Sequence, residues 1–359
     1  MLEAVLLVGG QGTRLRPLTM TTPKPMLAVA NRPVTEHQVA RAVAAGVTRV
    51  VLGTSYKAEV FSQTIGDGAH LGAEVRYAVE AEPLGTGGAI RHAAQELSSG
   101  PDDPVLVFNG DILTGVDIAA LVQAWRDADA DVAIYLTRVA DPRAYGLVPT
   151  DDSGRVLAFL EKPERAEDIS TDQINAGLYV FRRSVIDSIP TDRPVSVERE
   201  TFPGLLAAGA TVIGVVDESY WLDLGNPLAF VRGSADLVMG AAPSPLVSMP
   251  GDALIAADAS IAADATIADG TAIGAGAVVA SGAVVSASVV LAGARIEANA
   301  VVHESLIGEH AIVGPNTILT GVAVGAGAEI GANNELTHGA RVWPGIRLAD
   351  TAVRYSPDA

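Results

Sequence analysis

The feature that most restricts the fold is a six-residue beat in the last third of this 359-residue chain. Aliphatic residues recur at Ile255, Ile261, Ile267, Ile273, Val279, Val285 and Leu291, with alanine, glycine, aspartate and serine between them. The register slips by one residue to Ile296 and Val302, and again to Ile307, Val313 and Leu319. It resumes through Val324, Ile330, Leu336, Val342 and Leu348. One short strand per repeat stacks into a parallel β-helix. The small residues between the aliphatic ones permit tight corners, where glycine and alanine cost little. We expect this domain over residues 252–359, after a linker at 241–251 that holds Pro243, Pro245 and Pro250.

The chain before the linker has another rhythm. Apolar runs at 5–8, 50–52 and 105–108 read as strands buried on both faces, with helical patterns at 36–45, 87–97 and 118–125. That alternation predicts a mainly parallel α/β sheet in a domain over 1–240, with ligands at the carboxyl ends of its strands. The opening MLEAVLLVGG carries Glu3 where a secretory leader has basic residues, so it reads as a first buried strand.

Composition narrows the partners. No apolar run approaches the roughly 18 residues of a membrane span, and the mean hydropathy of +0.31 comes from alanine and valine in the repeats. The absence of cysteine excludes disulfides, thiolate metal sites and cysteine nucleophiles, and it fits a reducing cytoplasm. The net charge of -18 argues against nucleic acid or an anionic membrane as partner. A phosphate substrate would need local cations or a divalent metal against that background.

Directly after Val8 comes GGQGTRLRPLTMTTPKPML. No lysine–serine or lysine–threonine pair follows these glycines, so the ATP-type P-loop pattern fails. Gly10 and Gly12 fit the dinucleotide fingerprint, but its third glycine position is Leu15. Glycines after a strand still let backbone N–H groups approach a phosphate. Arg14 adds a forked cation and Lys24 a point charge. Taken alone, the stretch is either a phosphate loop or a glycine-rich turn with surface cations.

The whole string decides more. G-G-x-G-T-R-L-x-P-L-T followed by T-P-K-P-M resembles the signature of the sugar-1-phosphate nucleotidyltransferases, whose loop wraps a nucleoside triphosphate. The resemblance implies a Rossmann-like sheet with an appended left-handed β-helix. It assigns Arg14 and Lys24 to the phosphates, and Leu7, Gly9, Gly10, Gly12 and Thr13 to the nucleotide. Phe159-Leu160-Glu161-Lys162-Pro163 resembles the family's F-x-E-K-P element, whose lysine holds the sugar phosphate and whose glutamate holds sugar hydroxyls. Asn109-Gly110-Asp111 and Trp221-Leu222-Asp223-Leu224-Gly225 match the segments carrying its two metal-binding aspartates. Gly146, after Tyr145, and Asn175 and Gly177, within I-N-A-G, match segments that line the sugar pocket.

The reaction implied is attack by a sugar-1-phosphate oxygen on the α-phosphorus of a nucleoside triphosphate, expelling pyrophosphate. Such transfers need positioning and charge neutralisation more than covalent help. Asp111 and Asp223 offer hard oxygen ligands for Mg²⁺. Lys162 would hold the attacking phosphate, and Arg14 and Lys24 the leaving pyrophosphate. Taken singly, Asp111 reads equally as a turn cap, Asp223 as an arginine partner and Lys162 as an exposed turn residue. Asp127, Asp129 and Asp131 read as a solvated helix end.

Residues 80–88 read EAEPLGTGG. Guanine presents two neighbouring donors that one carboxylate accepts together, so Glu80 and Glu82 are candidate base readers, or one of them caps the next helix. The string with Pro83, Gly85 and Thr86 resembles mannose-1-phosphate guanylyltransferases, as does Val197-Glu198-Arg199-Glu200-Thr201-Phe202-Pro203. That implies GTP and mannose 1-phosphate as substrates. The alternatives are a pyrophosphorylase making UDP-, dTDP- or ADP-glucose, and a non-catalytic nucleotide-sugar-binding subunit. Acetyl transfer in the β-helix would need a histidine base. His303, His310 and His338 lie there, but they read as solvated corner residues. The β-helix is expected to join sister subunits in a homo-oligomer.

Overall fold

The computed structural model describes residues 2–354 except 164, 166 and 168. The chain divides into two compact units, one of residues 1–10 and 38–221, the other of 11–37 and 222–359.

The first unit is built on a nine-stranded sheet. Its strands are β1 (Leu2–Leu7), β2 (Val47–Thr54), β3 (Glu74–Val79), β4 (Pro104–Asn109), β5 (Val132–Arg138), β6 (Gly146–Leu147), β7 (Leu160–Glu161), β8 (Gln173–Arg182) and β9 (Val212–Val216). They run in the order β7-β6-β8-β4-β1-β2-β3, with β5 on β8 and β9 on β5. The four strands β4, β1, β2 and β3 are mutually parallel, and β8 enters antiparallel to β4 and β5. Val5, Val51, Val105 and Val107 are fully buried, as the continuous apolar runs require. Even Glu3, in β1, is fully buried, and Arg49 Nη1 at 2.8 Å and the Ser98 and Ser99 N–H groups satisfy its carboxylate. Loops leave β1 and β4, neighbours in the sheet, from their carboxyl ends. That is where an open α/β sheet places a ligand.

The second unit holds the segment 11–37, the helix Pro227–Met239 and the repeats. Asn226 caps that helix through Ala229 N–H at 2.9 Å, Pro227 stands at its first position, and Gly240 ends it at φ 82°. The repeats form three parallel sheets, the arrangement of a left-handed β-helix. One column stacks Ile255, Ile273, Val290, Ile307, Val324 and Val342. A second stacks Ile261, Val279, Ile296, Val313, Ile330 and Leu348, and a third Ile267, Val285, Val302, Leu319 and Leu336.

One sequence expectation is corrected here: Val290, not Leu291, occupies the inward column. The first slip therefore falls before 290 rather than after 291. At that corner Ser288 and Ser305 are buried. Ser288 N–H donates to Thr271 Oγ1, Ser305 N–H to Ser288 Oγ and Val322 N–H to Ser305 Oγ, at 3.0–3.3 Å. A ladder of hydroxyls replaces backbone partners where the repeat is one residue short. Among the described residues no helix is long and apolar enough to cross a membrane.

Candidate active site

In the first unit, the ends of β1, β3 and β4 carry the expected residues. Leu7 closes β1, and Gly9 and Gly10 follow, the latter at φ 137°. A Cβ on Gly9 would stand 2.9 Å from Ser55 Oγ and 3.7 Å from Glu80 Oε1. Glu80 is thus beside the glycine loop, and its Oε2 accepts Leu84 N–H at 2.9 Å. Glu82 and Pro83 are exposed. After β4, a Cβ on Gly110 would come 2.4 Å from the Leu7 carbonyl oxygen, so only glycine lets the Asp111 turn close against β1. Sequence reasoning missed Gln38. Its buried Nε2 donates to Asn109 O at 2.8 Å and Ile112 O at 3.0 Å, fixing the backbone on both sides of Asp111. A polar residue on the buried face of the helix Val34–Ala44 was the available signal.

The segments matched to a sugar pocket come together in the same unit. Trp221 Nε1 donates to Ala176 O at 2.9 Å, and its ring meets Tyr145 edge-on at 5.4 Å. Gly146 pairs with Glu161 across β6 and β7, and a Cβ there would lie 2.9 Å from Glu161 Oε2. Lys162 projects to solvent, its side chain 61% exposed, with Nζ 3.3 Å from Glu161 Oε1. Its φ of 48° is a left-handed conformation. That costs a lysine about 1 kcal/mol. Gly177, at φ 78°, packs against Asn109, and its N–H donates to Asn175 Oδ1 at 3.1 Å. Asn175 Nδ2 in turn donates to Tyr179 Oη at 2.7 Å. Burial first, and the charge of Glu198 second, hold the Tyr179 hydroxyl well above the ordinary phenol range. It is a permanent neutral support.

Gly85 and Thr86 are committed to their own unit. A Cβ on Gly85 would meet Val195 O at 2.5 Å, while Thr86 Oγ1 donates to Glu198 Oε2 at 2.8 Å and accepts Val197 N–H at 2.9 Å. The V-E-R-E-T-F-P string therefore braces the start of the helix Gly85–Ala93, with fully buried Phe202 beneath it. The acidic run is largely the solvated helix end expected of it, with Asp127 and Asp129 exposed and only Asp131 partly buried. Arg182 pairs with Asp129 at 2.7 Å and Asp131 at 3.4 Å, and Asp131 Oδ2 accepts Thr211 N–H. Asp127 alone stays with its helix neighbour Gln123.

In the second unit, Gly12 precedes the single turn Thr13–Leu15 at φ 56°. A Cβ on it would meet Lys24 Cβ at 2.9 Å and Thr19 Cγ2 at 3.0 Å. Lys24 is only 8% exposed, and its Nζ stands 3.7 Å from Asp223 Oδ1. Arg14, with 68% of its side chain exposed, brings Nη2 within 4.0 Å of Asp223 Oδ2 and lies against Gly225. Two cations thus converge on one carboxylate. His310 and His338 take the solvated-corner role expected of them, while His303 stands partly buried in the strand Val301–His303. His303 Nδ1 meets Ser286 Oγ at 2.8 Å, His338 Nδ1 meets Thr337 Oγ1 at 2.7 Å, and His310 packs on Gly293.

Comparison with known proteins gives the family. Residues 3–240 match the family model described as nucleotidyl transferase, and residues 249–354 match the GMPPB C-terminal domain. The chain is 57% identical over 244 residues to a mannose-1-phosphate guanylyltransferase of Mycobacterium tuberculosis, covering 68% of this chain and 66% of that one. It is 38% identical over 232 residues to the mannose-1-phosphate guanylyltransferase catalytic subunit beta of Drosophila pseudoobscura pseudoobscura, covering 64% and 61%. The matches thus span less than two thirds of these relatives' own length. HddC from Yersinia pseudotuberculosis, also solved in complex with GMP-PN, aligns at TM-score 0.56 and 28% identity, over 65% of this chain and 98% of that one.

Proposed function

Because the chain belongs to the nucleotidyl transferase family, we propose that it transfers the guanylyl group of GTP to mannose 1-phosphate. A phosphate oxygen of mannose 1-phosphate attacks the α-phosphorus of GTP, the bond to the β-phosphate breaks, and GDP-mannose and pyrophosphate form. The observation that carries this reading is the pairing of buried Lys24 and exposed Arg14 with Asp223, at 3.7 Å and 4.0 Å. Two cations on one short segment suit a polyphosphate, and the carboxylate between them suits a divalent ion that arrives with it. The guanine and mannose assignments follow the names of the similar proteins.

In this reading Arg14 and Lys24 neutralise the triphosphate and stabilise the departing pyrophosphate, with Gly9, Gly10 and Gly12 keeping the loop bare of side chains. Lys162 holds the sugar phosphate in line, and Glu161, Asn175 and the backbone around Gly146 and Gly177 orient the sugar. Asp111 and Asp223 would hold Mg²⁺, as hard oxygens suited to it. Bound there, the ion would supply charge neutralisation at the phosphates.

Pyrophosphate release across the four common triphosphates and several sugar 1-phosphates tests the proposal. Highest efficiency with any pair other than GTP and mannose 1-phosphate would overturn it. We also place the reaction in a reducing cytoplasm, in keeping with a chain free of cysteine. The β-helix serves as the contact between sister subunits, with Trp343 and Ile346 exposed on it. Light scattering on the intact chain and on Trp343→Asp checks the latter.

A further inference from the structure

The segment that carries Arg14 and Lys24 is tied to the repeat domain at both ends. On one side Asn31 Nδ2 donates to Ile273 O at 2.8 Å and Leu254 O at 3.3 Å, while Ala30 N–H donates to Ser234 Oγ of the helix Pro227–Met239 at 2.9 Å. On the other, Arg341 Nη1 donates to Arg16 O at 2.7 Å, across 325 residues of sequence. Arg16 closes the single turn Thr13–Leu15, its own N–H returning to Thr13 O. The guanidinium of Arg341 therefore satisfies a carbonyl at the end of the turn on which Arg14 rides, where carbonyls lack partners within the turn. Arg341 belongs to the strand Arg341–Val342, and it borders a cavity of about 550 Å³ with Asn226, Leu228 and His338. Arg341 itself is exposed.

We infer that Arg341 is a positioning residue for triphosphate binding: through the Arg16 carbonyl, the β-helix sets where the Arg14 guanidinium stands. The inference rests on the proposed role of Arg14 as a phosphate ligand. A forked donor at a fixed strand position holds the turn in one register, so Arg14 pays less ordering entropy when the triphosphate arrives. Nothing in this arrangement touches the sugar.

The test compares Arg341→Met, which keeps the apolar stem, with Arg341→Lys and Arg14→Ala in the intact chain. GTP affinity is read by calorimetry, the KM for mannose 1-phosphate by pyrophosphate release, and folding by the melting midpoint. Arg341→Met should weaken GTP binding roughly 3- to 10-fold, the effect of losing one charge-assisted bond at an exposed site. The KM for mannose 1-phosphate and the melting midpoint should hold. Arg341→Lys keeps one donor and should recover part of the affinity. Unchanged GTP affinity in Arg341→Met beside a weakened one in Arg14→Ala overturns the inference and leaves the proposed function standing. Unchanged affinity in both variants overturns the phosphate role of Arg14 itself. Equal losses for both substrates with a lowered midpoint reduce Arg341 to a structural residue, and also overturn the inference.

Discussion

The ammonium of Lys24 stands 3.7 Å from the Asp223 carboxylate, in a residue that is 8% exposed. A cation so buried needs a counter-charge, and Asp223 supplies it while Arg14 faces the same group from 4.0 Å. Asp223→Asn removes both the proposed metal ligand and that counter-charge. Turnover should fall about 100-fold or more, and stability by about 1–3 kcal/mol as the buried Lys24 loses this counter-charge. Pyrophosphate release across a Mg²⁺ titration, with melting midpoints, checks both. Near-normal turnover at low Mg²⁺ would refute the metal assignment.

Lys162 combines a left-handed φ of 48° with a largely exposed ammonium. Neither feature helps the fold, so a structural account predicts that replacing it costs nothing. Lys162→Gly should relieve backbone strain and raise stability by about 1 kcal/mol relative to Lys162→Ala. Both variants should raise the KM for mannose 1-phosphate roughly 10-fold or more, with GTP affinity spared. If GTP affinity fell instead, Lys162 and Lys24 would exchange roles.

How much of this was legible follows from which signals are periodic. The six-residue beat announced the β-helix because every column needs an aliphatic side chain. The slip was misplaced because Val289, Val290 and Leu291 are consecutive, and hydropathy does not tell which of three neighbours turns inward. The nucleotide strings were readable as strings, but their supports were not. Gln38 beside Asp111 and Arg341 beside Arg16 are isolated polar residues bonding distant segments, and such residues leave no spacing to find. Nor does the string show that the Thr86 hydroxyl bonds Glu198.

His37 links the helix Val34–Ala44 to residues far along the chain. Its Nε2–H donates to Val29 O at 3.0 Å, while Nδ1 accepts from Ser244 Oγ at 2.7 Å. Desolvation outweighs the bond to Val29 and, with Arg32 adding to it, lowers its pKa to about 4. The folded state therefore keeps this ring neutral where the unfolded chain, titrating near 6.5, takes up a proton. Stability is full above about pH 6.5 and falls as pH drops toward 4, by roughly 2 kcal/mol at pH 5. Urea midpoints at pH 7.5 and 5 should differ less in His37→Gln than in the parent chain. An equal loss in both would remove His37 from the pH response.

Base selection provides the sharpest chemical prediction, because the structure separates two glutamates that the sequence left equivalent. Glu80 turns its Oε1 toward the glycine loop, 3.7 Å from where a Gly9 side chain would begin, and anchors its Oε2 on Leu84 N–H. Glu82 is exposed. A carboxylate fixed by one oxygen and presenting the other is preorganised to accept from the neighbouring N1–H and N2–H of guanine. Glu80→Gln exchanges one acceptor for a donor, so it either opposes the base or abandons Leu84 N–H. A mismatched buried pair costs about 1–3 kcal/mol, which lowers kcat/KM for GTP roughly 5- to 150-fold. UTP and dTTP, whose edges pair with an amide, should lose less or gain. Glu82→Gln should leave the preference for GTP within about twofold, as a surface substitution does. Competing triphosphates at equal concentration, with the nucleotide sugars resolved by chromatography, measure the preference directly. Should Glu82→Gln alone erode it, the base reader lies in the exposed part of the loop. Should neither variant do so, guanine is selected by backbone groups and the carboxylate argument fails.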